Sequence, residues 1–165
     1  MEQLKKHFYS WHDVELMCQS IVMQMYKDEW RPDYIVGLTR GGNIPATIIS
    51  NQTDISCNAL KISFRDDEET ESNCWMSEDA FNGKKILVID DINDTGETLN
   101  YLCQDWQRNC IPDDIKWDTV WDDNVRFATL TENMASAFGH VRYYSHEINK
   151  AEEDVWLVYP WESQV

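Results

Sequence analysis

The stretch ILVIDDINDTGETL, residues 86–99, decides the architecture. Its first four residues, Ile86, Leu87, Val88 and Ile89, form a short continuous apolar run, which reads as a strand buried on both faces. The turn Asn82-Gly83-Lys84-Lys85 introduces it, and Asp90 and Asp91 end it abruptly. After Asp94, Thr95 and Gly96, Leu99, Leu102, Cys103 and Trp106 share one helical face, and the helix stops before Pro112. Strand, acidic loop and amphipathic helix in succession is the unit from which parallel α/β sheets are built.

The same stretch carries the chemistry. Two adjacent carboxylates at a strand end repel each other unless a cation or hydrogen-bond donors hold them, and a divalent metal is the natural partner. Residues 94–98 then combine a Gly, two hydroxyls and the exposed amides of a starting helix, which together describe a phosphate cradle. A plainer account also suits these residues: Asp94 or Thr95 caps the helix, and the Asp pair is merely solvated.

Working upstream, YIVGL at 34–38 is a second buried strand, TRGGN at 39–43 a turn, and Pro45 suits the first turn of a following helix. Residues 13–26 space Val14, Met17, Cys18, Ile21, Val22 and Met25 by three and four, an amphipathic helix. Residues 59–64 alternate as a strand, whereas 65–79 are acidic and poor in packing groups and read as a mobile loop. Residues 125–130 and 155–159 are further strands, and 134–139 carry no clear assignment. The expected fold is therefore α/β: a mostly parallel twisted sheet flanked by helices on both faces, in one domain spanning 1–165. Its ligand site belongs in the loops after Leu38 and Ile89, at the strand C-termini.

Composition narrows the function classes. The 165 residues suit one domain, and 42% hydrophobic residues, with eight Trp, are enough to build a core. Against 14 Lys and Arg stand 30 Asp and Glu, a formal charge of -16 that leaves no broad basic footprint for nucleic acid. No apolar run approaches the roughly 20 residues that span a bilayer, and the N-terminus does not read as a signal peptide. Five cysteines without a CxxC pair read as reduced, mostly buried thiols, which places the chain in the cytoplasm.

The constellation at 86–99 resembles the PRPP-binding fingerprint of type I phosphoribosyltransferases, where PRPP is phosphoribosyl pyrophosphate. A second match lies about fifty residues upstream, where YIVGLTRGGNIPA supplies Arg40-Gly41-Gly42 after a strand, as the family's pyrophosphate loop does. A Gly pair lets backbone amides approach a diphosphate, and Arg40 contributes the charge a polyanion needs. The C-terminal EDVWLVYPWE looks like the end of the base-binding region in the xanthine-guanine branch, and YSWHDV looks like that branch's opening helix.

The resemblance covers most of the chain and implies the following. The fold is a phosphoribosyltransferase core with a small base-binding hood that includes the C-terminal segment. The reaction transfers the phosphoribosyl group from PRPP to a nucleobase, a purine such as hypoxanthine, guanine or xanthine, with Mg2+ as cofactor. Arg40, Gly41, Gly42, Asp90, Asp91, Asp94, Thr95, Gly96, Glu97 and Thr98 bind PRPP, Asp90 and Asp91 hold the metal, and Asp94 is catalytic. Trp156, Leu157 and Thr129 meet the base, with Thr129 standing where the branch carries a Lys. The loop at 65–79 closes over the site, and the protein is a homo-oligomer, a dimer or tetramer.

Two alternatives stay open. A catalytically weak regulatory protein of the same fold would bind PRPP or a nucleotide without turnover. A receiver-like signalling domain also has an acidic strand end, but its acidic pair belongs near the domain start, far from position 90.

Overall fold

The computed structural model describes residues 5–62 and 74–162. In chain order the elements are β1 (Lys5–Phe8), α1 (Trp11–Lys27), β2 (Tyr34–Thr39), α2 (Asn43–Thr53), β3 (Cys57–Lys61), α3 (Cys74–Phe81), β4 (Ile86–Asn93) and α4 (Glu97–Arg108). A 3-10 turn (Ile115–Thr119), β5 (Val125–Asn133), β6 (Val141–Ile148) and β7 (Val155–Val158) complete them.

Five strands form one parallel sheet in the order β3-β2-β4-β5-β6. Alternation along the central strands sends side chains to two separate cores. Ile35, Leu87 and Ile89 pack with α1 and α2 on one face, while Val36, Ile86 and Val88 pack with α3 and α4 on the other. Strands buried on both faces must be apolar throughout, which is why the runs at 34–38 and 86–89 show no polar alternation. Helix α1 begins at a capping box, with Ser10 Oγ accepting from Asp13 N and Asp13 Oδ2 accepting from Ser10 N. Its inward stripe is the one the spacing predicts, Val14 to Met25.

The chain runs from β2 outward to β3, then crosses back over β2 to β4 and onward to β5. The order therefore reverses between β2 and β4, and the loops after these two strands open side by side at the carboxyl edge. Such a switch point is where open α/β sheets bind ligands.

Several features differ from the sequence reading. Strand β4 continues through the acidic pair to Asn93, because its pairing with β5 persists to Asn93 and Glu132. Residues 74–79 belong to α3, not to a loop: Met76, Ser77 and Ala80 are buried, and Trp75 lies against Tyr34. The rest of the expected loop falls mainly on 65–73, outside the described residues. Strands β1 and β6 were not expected; β6 is an edge strand, and β1 pairs in parallel with β7 in a separate two-stranded ribbon. Finally, Cys18 is buried, but Cys57, Cys103 and Cys110 are partly exposed and Cys74 is exposed. Burial pushes the Cys18 and Cys103 thiols up to about 12, which leaves them poor nucleophiles. No helix among the described residues is long and apolar enough to cross a membrane.

Candidate active site

The loop after β2 and the end of β4 are in direct contact. A Cβ on Gly41 would fall on the Asp91 carboxylate, and one on Gly42 would lie 2.8 Å from both Asp90 Cα and Leu38 O. Only glycines let the turn lie this flat against the acidic pair, so the two motifs form one site. Gly42 N donates to Leu38 O (2.8 Å) and Asn43 N to Arg40 O (3.2 Å), which closes the turn into α2 and leaves Arg40 exposed at its tip. The Thr39–Arg40 peptide is cis.

Asp90 and Asp91 sit half-buried at the sheet edge. Asp90 Oδ1 accepts from Asp91 N and Asp91 Oδ1 from Ile92 N, both at 2.8 Å. Burial, together with the charge of Asp91, raises Asp90 well above the usual carboxylate range, and burial raises Asp91 as well. Two acids held this way favour a shared proton or a cation. Behind them, Tyr159 Oη donates to Asp91 O (3.1 Å) and also contacts Thr131 Oγ1 (2.9 Å), tying the segment after β7 to β4 and β5.

Residues 90–99 line a cleft of about 220 Å³. It holds Asp94, Thr95, Gly96, Glu97 and Thr98 around the start of α4. Gly96, at φ 94°, is the N-cap residue and offers no side chain to the helix end; a Cβ there would lie 2.6 Å from Phe138 N. Thr95 Oγ1 accepts from Glu97 N at 3.3 Å. Asp94 is not the cap. Its carboxylate turns away from α4 toward Lys150, whose Nζ lies 3.0 Å from both carboxylate oxygens. The capping role expected for Asp94 is therefore not seen: Gly96 is the N-cap, and the Asp94 carboxylate is paired with Lys150.

The expected base contacts are placed unevenly. Trp156 stands exposed (54%) on β7. Leu157, its neighbour, is buried in the core on the α1 face. Thr129 is fully buried in the middle of β5, opposite Asp90 in the strand register, so the structure does not bring it to the site surface. Asn133, four positions later and also buried, donates from Nδ2 to Asp94 O at 2.8 Å.

Asn93, Glu132, Asn133 and Lys150 escaped the sequence reading. Asn93 Nδ2 donates to Glu132 Oε1 (2.8 Å) and to Phe138 O (3.0 Å), and Ser136 Oγ donates to Asn93 Oδ1 (2.9 Å). Burial raises the Glu132 carboxyl to about 7. The sequence signal for Lys150 was its scarcity, since after Asp91 only Lys116 and Lys150 occur.

Comparison with known proteins shows the family and the fold. The family model described as phosphoribosyl transferase domain matches residues 4–153. The chain is 24% identical to xanthine phosphoribosyltransferase 1 of Saccharomyces cerevisiae over 200 residues, covering 99% of this chain and 93% of that protein. It is 24% identical to the hypoxanthine-guanine phosphoribosyltransferase of Schizosaccharomyces pombe, covering 95% and 89%. Among solved structures, purine phosphoribosyltransferase from Pyrococcus horikoshii superposes with a TM-score of 0.69 at 20% identity, covering 98% of this chain and 97% of that one.

Proposed function

The chain belongs to the phosphoribosyl transferase domain family, and from that premise we propose that it transfers the phosphoribosyl group of PRPP to a purine nitrogen, releasing pyrophosphate. The observation that carries this reading is the contact between the Arg40-Gly41-Gly42 turn and the Asp90-Asp91 pair, beside a cleft that opens on the start of α4. A ligand bearing a diphosphate at one end and a phosphate at the other, with a diol between them, suits this arrangement. The amides and Arg40 of the turn take the diphosphate, the acidic pair meets the ribose hydroxyls, and residues 94–98 grip the 5-phosphate.

The donor set suits Mg2+ delivered with its substrate. Asp90 and Asp91 provide hard oxygen ligands whose mutual repulsion a cation relieves. Among the described residues no group of three His, Cys, Asp or Glu side chains converges, so PRPP oxygens and water would complete the coordination. Mg2+ bound there supplies charge neutralisation to the pyrophosphate leaving group.

In the transfer itself, the bond from the ribose anomeric carbon to the pyrophosphate oxygen breaks and a bond to the purine nitrogen forms. Positive charge develops on the ribose as the leaving group departs, and the Asp94 carboxylate, on the cleft wall, stabilises it or accepts the proton shed by the base. Trp156 offers its exposed face for stacking. Supporting this reading are the relatives named as xanthine and hypoxanthine-guanine phosphoribosyltransferases.

The test is a panel of guanine, hypoxanthine, xanthine, adenine and uracil, each incubated with PRPP and Mg2+ while nucleotide formation is followed by absorbance. Turnover of one or more purines is expected. PRPP binding without turnover of any base would replace the enzyme with a regulatory protein of the same fold.

A further inference from the structure

Asp91 O and Ile92 N belong to one planar peptide, so whatever fixes one fixes the other. Tyr159 Oη donates to this oxygen (3.1 Å), and the N–H on the opposite edge donates to Asp91 Oδ1 (2.8 Å). The phenol therefore holds the peptide that in turn holds the Asp91 carboxylate. Behind Tyr159 the contact continues through three further side chains. Its Oη lies 2.9 Å from Thr131 Oγ1, Thr131 Oγ1 lies 3.0 Å from Tyr9 Oη, and Tyr9 Oη meets His146 Nδ1. Tyr9, Thr131 and Tyr159 are buried, and the two phenol rings stack 5.0 Å apart. His146, half-buried on β6, stands beside Thr131 in the strand register.

The order of donors along this chain follows from its inner end. Each hydroxyl has one proton, and the Asp91 carbonyl can only accept. With the Tyr159 proton committed to Asp91 O, Thr131 donates to Tyr159, Tyr9 donates to Thr131, and Tyr9 is left to accept from His146. The reverse order would set two acceptor oxygens against each other at Asp91, which costs free energy in a water-poor setting.

We propose that Tyr159 is a positioning residue for the acidic pair, and that Thr131, Tyr9 and His146 hold it in its donating orientation, with His146 protonated on Nδ1. The positioning role rests on the transfer reaction proposed above, which gives the acidic pair to Mg2+ and PRPP; the donor order does not depend on it. Tyr159 acts through a backbone carbonyl and touches neither substrate nor cation. It limits rotation of the Asp91–Ile92 peptide, so the carboxylate keeps one orientation as a cation arrives and less ordering is left for the binding step. The four side chains come from the residue before α1, from β5, from β6 and from the segment after β7. The chain thus ties the end of β4 to the opposite end of the sequence and to the outer edge of the sheet.

The experiment compares wild type, Tyr159→Phe, Tyr9→Phe and the double variant. Phe keeps the stacked ring and removes only the hydroxyl, so thermal melting should show all three folded. At pH 8 the His146 ring is neutral, since burial and the neighbouring His7 hold it below the ordinary histidine range. Nitrogen NMR of the imidazole should then find the proton on Nδ1 in wild type. Tyr9→Phe removes the acceptor and should release the ring to the Nε2–H form that free histidine side chains favour. Calorimetry of PRPP binding against Mg2+ concentration reads the positioning without needing turnover. Tyr159→Phe should raise the Mg2+ required for half-maximal PRPP binding on the order of tenfold. Tyr9→Phe should raise it less, and the double variant no more than Tyr159→Phe, because loss of the inner hydroxyl already breaks the chain. A wild-type His146 protonated on Nε2 reverses the donor order and overturns the chain. An unchanged Mg2+ requirement in Tyr159→Phe, with only the melting temperature lowered, overturns the positioning role and leaves the transfer reaction intact. A wild type that binds PRPP with Mg2+ but turns over no base removes the reaction instead, and weakened binding in Tyr159→Phe then still supports the positioning role. A wild type that binds no PRPP overturns both.

Discussion

A methyl group added to Gly41 would lie 2.7 Å from Asp91 Cγ, closer than carbon atoms approach without displacement. Asp91 has little room to retreat: its Oδ1 accepts from Ile92 N, and its own carbonyl accepts from Tyr159. Gly41→Ala should therefore separate the turn from the acidic pair, raise the KM for PRPP at least tenfold and lower stability by about 1 to 3 kcal/mol, the range for overpacking. Gly139→Ala, where an added Cβ meets nothing within 4 Å, is the control and should leave both melting temperature and KM unchanged. Equal behaviour of the two variants would show that the close approach at Gly41 has no role in PRPP binding.

Asp91→Asn keeps the shape of the side chain but removes half of the charge that draws a cation to the strand end. Calorimetry with Mg2+ should show PRPP binding weakened on the order of tenfold in the variant, and wild-type binding should weaken similarly when EDTA is added. Affinity that ignores both changes would remove the metal from the site.

Burial raises Glu132 from 4.5 to about 7, and its Oε2 has no hydrogen-bond partner among the described residues. Its folded-state carboxyl thus binds a proton more tightly than in the unfolded chain. Between about pH 4.5 and 7 the folded state holds a proton that the unfolded state has released, so stability falls as pH rises through this window and levels off above it. Asp90 and Asp91, also raised, add to the same trend. Glu132→Gln keeps an acceptor for Asn93 and places a neutral amide where the charge would form. The variant should melt near the wild-type temperature at pH 5 and above it at pH 8. A wild-type advantage at pH 8 would mean that the ionised form is the stable one.

Where sequence and structure part, the reason lies in buried polar residues. Ile86, Val88, Leu99 and Leu102 declare their elements because apolar spacing follows directly from burial, and the glycines at 41 and 42 declare a close approach. From sequence, strand β5 reads as ending at Leu130, because Thr131, Glu132 and Asn133 look like a solvated loop. They are buried nonetheless, since Tyr9 and Tyr159 meet Thr131, Asn93 meets Glu132, and Asp94 meets Asn133. With the strand running on to Asn133, Thr129, the base contact the resemblance implies, falls in its buried middle. The pairing of Lys150 is illegible for a similar reason: its partner is 56 residues away, and no local pattern encodes it.

Asp94→Asn tests whether the carboxylate does chemistry or only holds structure. Asp94 does not cap α4, so no helix end is lost, and a partly exposed ion pair contributes at most about 1 kcal/mol. The melting temperature should change little. If Asp94 stabilises the developing charge or takes the base proton, kcat should fall on the order of 10²-fold while the KM for PRPP moves far less. A drop in stability with kcat preserved would reduce Asp94 to a structural partner of Lys150.

Trp156 stands out as a large aromatic left exposed on a strand whose neighbours Val155 and Leu157 are buried. Alternation turns those two toward the core and Trp156 away from it, so its ring adds little to the stability of the ribbon. Trp156→Ala should accordingly melt within a few degrees of wild type. Stacking of a base on an aromatic face is worth roughly 1 to 3 kcal/mol, so loss of the indole should raise the KM for every accepted purine by about 5- to 150-fold and leave PRPP binding unaltered. Because every base has a π-face, the loss should be similar for guanine, hypoxanthine and xanthine. Trp156→Phe, which retains a smaller ring, should recover part of the affinity. Measuring KM for the three bases alongside calorimetric PRPP affinity decides the point: an unchanged KM in Trp156→Ala would show that the base binds elsewhere, and a parallel loss of PRPP affinity would show that the substitution disturbs the whole site.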